Sequence, residues 1–231
     1  MGLGVYPATH ERFLGMLGMH GTYQANMSMH NADLIIAIGA RFDDRITNTP
    51  KLFAPNAKII HLDVDYSSVS KIIEANIAVF GQVKNSLLEM IKLLEAKKEL
   101  IDPKKILPWK EQISDWKSQH GLNHEMHLCE TDDKPIMPQA VVQHIYNITN
   151  GKAFITSDVG QHQMFAAQYY HFDEPRKWIN SGGLGTMGFG LPAAMGAKLA
   201  YPNDEVICIT GEGSIQMCIQ ELSTCTQYNL P

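Results

Sequence analysis

The sequence predicts an α/β fold: two doubly wound parallel-sheet domains, both incomplete, joined by a linker. Three observations predict it. Short apolar runs of strand length end at an acid or a glycine, as buried parallel strands do. Helical patterns separate those runs, which is the alternation of a parallel sheet. From about residue 97 to 135 the chain changes character, with Lys97-Lys98-Glu99, Pro103, Pro108 and Thr131-Asp132-Asp133-Lys134-Pro135. The boundaries read as 1–97, a linker at 98–135, and 136–231.

In the first domain Thr22–Asn31 reads as a helix. Asp33-Leu34-Ile35-Ile36-Ala37-Ile38-Gly39 reads as a buried parallel strand, Lys58–Asp65 as a second and Ile77–Gly81 as a third, short one. A helical pattern at Ser67–Glu74 joins the last two. Val83–Lys98 is an amphipathic helix, with Leu87, Leu88, Ile91 and Leu94 at helical spacing and Leu93 widening the apolar face. Trp109–Gln119 forms one helix inside the linker. In the second domain Pro138 opens a helix that Asn150-Gly151 stops. Ala153–Ser157 is a strand, Gln161–Tyr170 a helix, and Lys177–Asn180 a short strand. Leu191–Ala200 is a small-residue helix suited to close packing on a sheet. Glu205–Thr210 is the next strand, and Ser214–Tyr228 the last helix. Little precedes the first strand, and the last helix ends where an α/β chain enters another strand. The first domain therefore reads as truncated at its N-terminal side and the second at its C-terminal side.

Composition excludes several classes. Apolar residues make up 45% and charged residues 19% of 231 positions, ordinary for a globular chain. The net charge of −5, with no basic block, argues against a nucleic-acid partner. No long apolar stretch indicates a membrane span, and the start Met1-Gly2-Leu3-Gly4-Val5-Tyr6-Pro7 lacks a signal-peptide pattern. Cys129, Cys208, Cys218 and Cys225 show no CxxC pair and read as reduced core or near-core thiols, which fits a cytoplasmic protein. No GxGxxG opens a βαβ unit, against a NAD-type Rossmann site.

Chemistry concentrates at the ends of the second domain's strands. Gly211-Glu212-Gly213-Ser214 follows the apolar run Val206-Ile207-Cys208-Ile209 and leads into a helix. Glycines let backbone approach phosphate, a carboxylate coordinates a hard divalent cation, and a helix start offers N–H groups to anionic oxygen. Asp158-Val159-Gly160-Gln161-His162 and the glycine-rich Ser181–Gly190 follow the other two strands. Taken singly, a glycine-rich loop is as often a turn and a Gln-His pair a helix cap. Ligands of open α/β sheets bind beyond the carboxyl ends of the strands, so three such loops converge on one ligand. In the first domain Arg41 and Arg45 serve either an anion or the neighbouring Asp43 and Asp44, and His20 either a ligand or a cap.

In this order, with Leu191-Pro192-Ala193-Ala194 leading to the Gly-Glu-Gly-Ser loop, the set resembles the diphosphate-binding domain of thiamine-diphosphate enzymes. More narrowly, the whole chain resembles the catalytic subunit of acetolactate synthase (acetohydroxyacid synthase). Phe13–Thr22, Gly39–Arg45, Val159–Met164 and Ser181–Pro192 carry the resemblance. Met-Leu-Gly-Met-His-Gly and Arg-Phe-Asp-Asp-Arg together separate it from pyruvate oxidases and decarboxylases.

The resemblance implies that the first domain is the central, FAD-binding one, with FAD in a non-redox role. Its cofactor-binding residues would be Met19, His20, Gly21 and Thr22, then Gly39, Ala40, Arg41, Phe42 and Asp43, then Asp63 and Val64, then Gly81 and Gln82. The second domain would hold thiamine diphosphate and Mg²⁺. There Gln161 and His162 would sit near the reactive ring, Gly185, Thr186 and Met187 would hold the aminopyrimidine, and Glu212, Gly213 and Ser214 would face the diphosphate. Glu212 would be the metal ligand, where the family has Asp. The implied reaction decarboxylates pyruvate and condenses it with a second 2-ketoacid, pyruvate or 2-ketobutyrate, for branched-chain amino acid synthesis. The implied assembly is a dimer of catalytic subunits with a regulatory small subunit. The activating glutamate, the second metal ligand and the apolar residue that bends the cofactor fall outside this sequence, so no catalytic residue is assigned within it. The alternative expectation is a non-catalytic fragment that binds nucleotide or a partner subunit.

Overall fold

In the structure, a computed structural model that describes residues 2–122 and 135–231, the chain divides by contact into two units. One comprises Leu14–Asn123; the other comprises Met1–Phe13 with His124–Pro231. Cys129 and Thr131–Lys134, singled out above, lie outside the described residues.

The Leu14–Asn123 unit starts with helix α1 (Tyr23–Asn31). Thr22 caps it: its Oγ1 accepts from the Ala25 N–H at 3.3 Å and donates to the Leu14 carbonyl at 2.6 Å. Strands β1 (Leu34–Ile38), β2 (Lys58–Asp63) and β3 (Ile77–Phe80) form a parallel sheet in the order β1-β2-β3, with Ile36 opposite Ile60 and Ile60 opposite Ile77. Ile35, Ala37, Phe42, Ala54, Ile59 and Ile73 form the core on one sheet face. Short helix α2 (Asp44–Thr47) lies between β1 and β2. Helices α3 (Val83–Ala96) and α4 (Leu107–His120) follow, and α4 packs on α1.

Two expectations need correction here. β1 is buried on one face only: Ile35 and Ala37 point into the core, while Leu34, Ile36 and Ile38 stay more than two-fifths exposed. Two-sided burial of a parallel strand needs helices on both faces, and this face lacks full cover. The apolar face of α3 is exposed likewise, with no buried residue on that helix. Ser67–Glu74 forms turns and bends, not a helix. The Asp65 carboxylate accepts from the Ser67 N–H at 2.9 Å and from the Ser67 and Ser68 hydroxyls. Ser70, at φ 57°, takes the Ala75 N–H on its side chain at 3.1 Å. These side chains outcompete helical backbone bonding. The same serine hydroxyls hold the Asp65 carboxyl below the usual range.

The other unit is built around a parallel sheet of order β5-β4-β6, from β4 (Phe154–Ser157), β5 (Trp178–Ile179) and β6 (Val206–Ile209). All four residues of the central strand β4 are buried. Helix α5 (Pro138–Thr149) ends at Asn150, which adopts the left-handed conformation at φ 51° before Gly151. Helix α6 (Gln161–Tyr169) follows β4, and α7 (Gly190–Ala200) packs on β4 and β6. Tyr170 and Phe172 fill the interior, and the Tyr170 hydroxyl accepts from the Ala153 N–H at 3.2 Å. Thr9, from the N-terminal segment, donates both its N–H and its hydroxyl to the Asp173 carboxylate at 2.9 Å.

The expected long helix Ser214–Tyr228 is two short ones, α8 (Glu212–Ile215) and α9 (Glu221–Gln227). From Met217 to Ser223 the N–H groups of Met217, Cys218, Glu221, Leu222 and Ser223 bond carbonyls three residues back rather than four. That tighter winding breaks the helical face. Cys218 is buried, Cys208 and Cys225 are half-buried, and all three thiols are free.

Candidate functional site

At the carboxyl edge of β1-β2-β3, the strand-end residues anticipated from the sequence come together. Gly39 and Ala40 follow β1, Asp63 and Val64 close β2, and Gly81 and Gln82 follow β3. The Gly39 N–H donates to Leu62 O at 2.9 Å and the Gly81 N–H to Asp63 O at 3.1 Å. Arg41 is exposed, and its guanidinium meets Asp43 at 3.5 Å. Asp43 also caps α2 through the Arg45 N–H at 3.2 Å. Arg45 reaches back to Met19, with Nη1 3.7 Å from Sδ, and its carbonyl accepts from the Met19 N–H at 3.0 Å. Residues 18–21 are thereby tied to α2.

Most backbone donors in that segment are already used. The N–H groups of Met19, Gly21 and Thr22 bond Arg45 O, Gly18 O and Met16 O. The segment therefore offers a ligand carbonyls and side chains more than N–H groups. Phe42 is buried with φ 53°, an uncommon conformation for a bulky residue. Its ring meets His61 edge-on, centroids 5.1 Å apart. His61, fully buried on β2 between Ala37 and Ala78, has no hydrogen-bond partner on either ring nitrogen among the described residues. The apolar alternation of its strand hides such a residue from sequence reading.

The three loops beyond β4, β5 and β6 touch one another. A Cβ on Gly160 would lie 2.8 Å from His162 Cε1, and one on Gly211 would lie 3.0 Å from Cε1 and Nδ1. The His162 ring is therefore pinched between two glycines that no larger residue replaces without moving it. Met187 Cε would lie 3.4 Å from a Cβ on Gly213, which joins the glycine-rich loop to the Gly-Glu-Gly-Ser loop. Gln161, Gly185, Thr186 and Glu212 are exposed, Gly213 is half-buried, and Ser214 is 2% exposed. The Thr186 N–H donates to Ser181 Oγ at 2.9 Å and Gly182 N–H to Asn180 Oδ1 at 2.6 Å, so the loop braces itself. Space beside Gly185 is open: nothing lies within 4 Å of a Cβ there.

Electrostatics centre on His162. Burial pushes its imidazole below the usual 6.5, while Asp158, Glu212 and a bond to the Asp158 backbone pull the other way. Its Nε2 is buried without a partner among the described residues. Asp158 opens the first of these loops and has no role of its own among the site residues expected from the sequence. It is fully buried, with Oδ1 accepting from the Gly190 N–H at 3.0 Å and Oδ2 from the Thr210 hydroxyl at 2.8 Å. An acid directly after a wholly buried strand was the available signal. Among the described residues no group of three or more His, Cys, Asp or Glu is arranged to hold a metal ion.

Comparison with known proteins gives these loops a common context. Residues 1–90 match the thiamine pyrophosphate enzyme central domain, and residues 158–231 match the thiamine pyrophosphate enzyme C-terminal TPP binding domain. The chain belongs to the thiamine pyrophosphate enzyme family. Within that family it is similar to the acetolactate synthase isozyme 3 large subunit of Escherichia coli (strain K12), 54% identical over 231 residues, 100% of this chain and 39% of the relative. It is 56% identical, over the same shares, to the acetolactate synthase large subunit of Buchnera aphidicola subsp. Schlechtendalia chinensis. It is 42% identical to acetolactate synthase 1, chloroplastic, of Nicotiana tabacum, covering 34% of that protein. The chain thus spans about two-fifths of the length of the first of these relatives. Among the described residues no helix is long and apolar enough to cross a membrane.

Proposed function

We propose that this chain forms the cofactor-binding middle of an acetolactate synthase catalytic subunit. One observation carries the reading: loops from three strand ends meet at one edge, with His162 against Gly211 and Met187 against Gly213. Similarity to acetolactate synthase large subunits through the whole chain supports it. Residues 136–231 would hold thiamine diphosphate, residues 1–97 FAD, and 98–135 would link them.

The residues at β4-β5-β6 suit the first cofactor. Open space at Gly185 and the unpartnered His162 Nε2 leave room and a polar contact for a heterocycle. Thiamine diphosphate, when bound, supplies the electron sink for decarboxylating a 2-ketoacid. Gln161 and His162 would orient its reactive ring, and Gly185, Thr186 and Met187 its aminopyrimidine. Gly213 and Ser214 would face the diphosphate, and Glu212 would offer one carboxylate to Mg²⁺. FAD would lie along Met19–Thr22, Gly39–Asp43, Asp63–Val64 and Gly81–Gln82, held rather than reduced. Pyruvate and 2-ketobutyrate would be the substrates, in a dimer of catalytic subunits that takes a regulatory small subunit, in the cytoplasm.

Mg²⁺ prefers near-ideal octahedral geometry at about 2.1 Å. Glu212 is one methylene longer than the family's aspartate, so it must fold back or shift the ion. Glu212→Asp should therefore tighten Mg²⁺-dependent thiamine diphosphate binding several-fold, read by calorimetric titration; equal affinities would reject this account. Flavin absorbance of the purified chain tests the FAD assignment.

The second reading is a chain that binds nucleotide or a partner subunit without turnover. Acetolactate production by the isolated chain would exclude it.

A further inference from the structure

Gly190, the first residue of α7, is gripped by Thr156 of β4 and by Asp158 just after that strand. Its N–H donates to Asp158 Oδ1 at 3.0 Å, and its carbonyl accepts from Thr156 Oγ1 at 2.9 Å. The fit is close: a Cβ on Gly190 would lie 2.7 Å from Asp158 Oδ2. That second oxygen accepts from Thr210 Oγ1 at 2.8 Å, on the residue just before Gly211. The Asp158 N–H joins β6 through Ile209 O at 3.2 Å. Both Asp158 and Thr156 are 0% exposed.

A fully buried carboxylate is costly to keep, and apolar residues usually replace it when packing is all that is needed. This one sits at the branch point of the three loops. Val159–His162 continues from its own backbone, Ser181–Phe189 ends at its Oδ1 partner, and Gly211–Ser214 begins after its Oδ2 partner. A neutral core residue would fill the volume but would leave the Gly190 N–H without an acceptor and the Thr210 hydroxyl with only the Gly211 carbonyl, at 3.3 Å.

We propose that Asp158 is a positioning residue that fastens all three loops of the site in mutual register through its two carboxylate oxygens. Its relevance to cofactor rests on the reading of those loops as the thiamine diphosphate site; the fastening itself does not.

Hydrogen exchange by mass spectrometry on the full cofactor-free chain tests the fastening. Asp158→Ala should speed exchange about tenfold at both 185–191 and 211–215, the loss expected for one unsatisfied buried group, while α5 keeps its protection. Thr210→Val should loosen 211–215 alone. Asp158→Asn keeps both bonds, its amide oxygen accepting from Gly190 and its amide nitrogen donating to Thr210, and should restore wild-type protection. If Asp158→Ala does not fold, Thr210→Val and Asp158→Asn decide. Wild-type exchange in both loops of Thr210→Val, or equally faster exchange through β4, β6 and α5, overturns the proposal. Titration with Mg²⁺ and thiamine diphosphate then separates the two claims. A wild-type chain that binds none refutes the functional reading while exchange still judges the fastening. A wild-type chain that binds, with Thr210→Val weakened about tenfold and Asp158→Asn restored, joins the two; unchanged affinity in Thr210→Val overturns the cofactor role.

Discussion

His162 shows how backbone, not charge alone, sets a side chain's chemistry. Gly160 and Gly211 close on its ring, and the resulting burial disfavours the imidazolium despite two nearby carboxylates. Its folded pKa therefore lies below the 6.5 of the unfolded chain. A depressed group binds fewer protons when folded. Its contribution to stability is complete above pH 6.5 and is lost as pH falls from there through the folded pKa. Gly211→Ala should push the ring outward and return its titration toward 6.5, followed by NMR of the imidazole protons. An unchanged titration in that variant would break the link between the pinch and the shift. Gln161-His162 was legible as part of a loop beyond a strand end. The pinch was not, because nothing in the sequence tells which glycines approach one another.

Elements with strong local signals were legible. Pro138 and Asn150-Gly151 bracket α5 as the cap chemistry demands, and Thr22 opens α1. Thr22→Ala removes a buried cap that also ties Leu14, and should cost about 1–2 kcal/mol in chemical denaturation. A loss under about 0.3 kcal/mol would show that the cap is dispensable. Two elements misled. Ser67–Glu74 has helical spacing, yet Asp65, Ser67, Ser68 and Ser70 spend their side chains on local turns. Ser214–Tyr228 has helical composition, yet its middle winds to three-residue bonding and splits it. Period alone does not report either competition. Asp158 was legible only as part of its loop for a related reason: a buried acid resembles any strand-ending acid until its partners are seen.

At the scale of the molecule, parallel sheets and strand-end loops were legible from alternation, whereas cover was not. Leu88, Ile91, Leu93 and Leu94 on α3 are about half exposed or more. Exposed apolar faces of this kind promote association. Leu93→Lys with Leu94→Lys should lower self-association in sedimentation velocity and change unfolding stability by less than about 0.5 kcal/mol. A large stability loss would mean that these side chains are packed. The order β5-β4-β6 carries a further consequence, in time rather than space. Ile155 pairs with Trp178 and Phe154 with Val206, so about fifty residues must be synthesised before β4 gains its second neighbour. At roughly 5–20 residues per second, that interval lasts several seconds on the ribosome. Chains arrested before Val206 should cross-link to a chaperone through Phe154 and Ile155, and released chains should not. The strand most hidden in the finished protein is thus the one left waiting longest in the open.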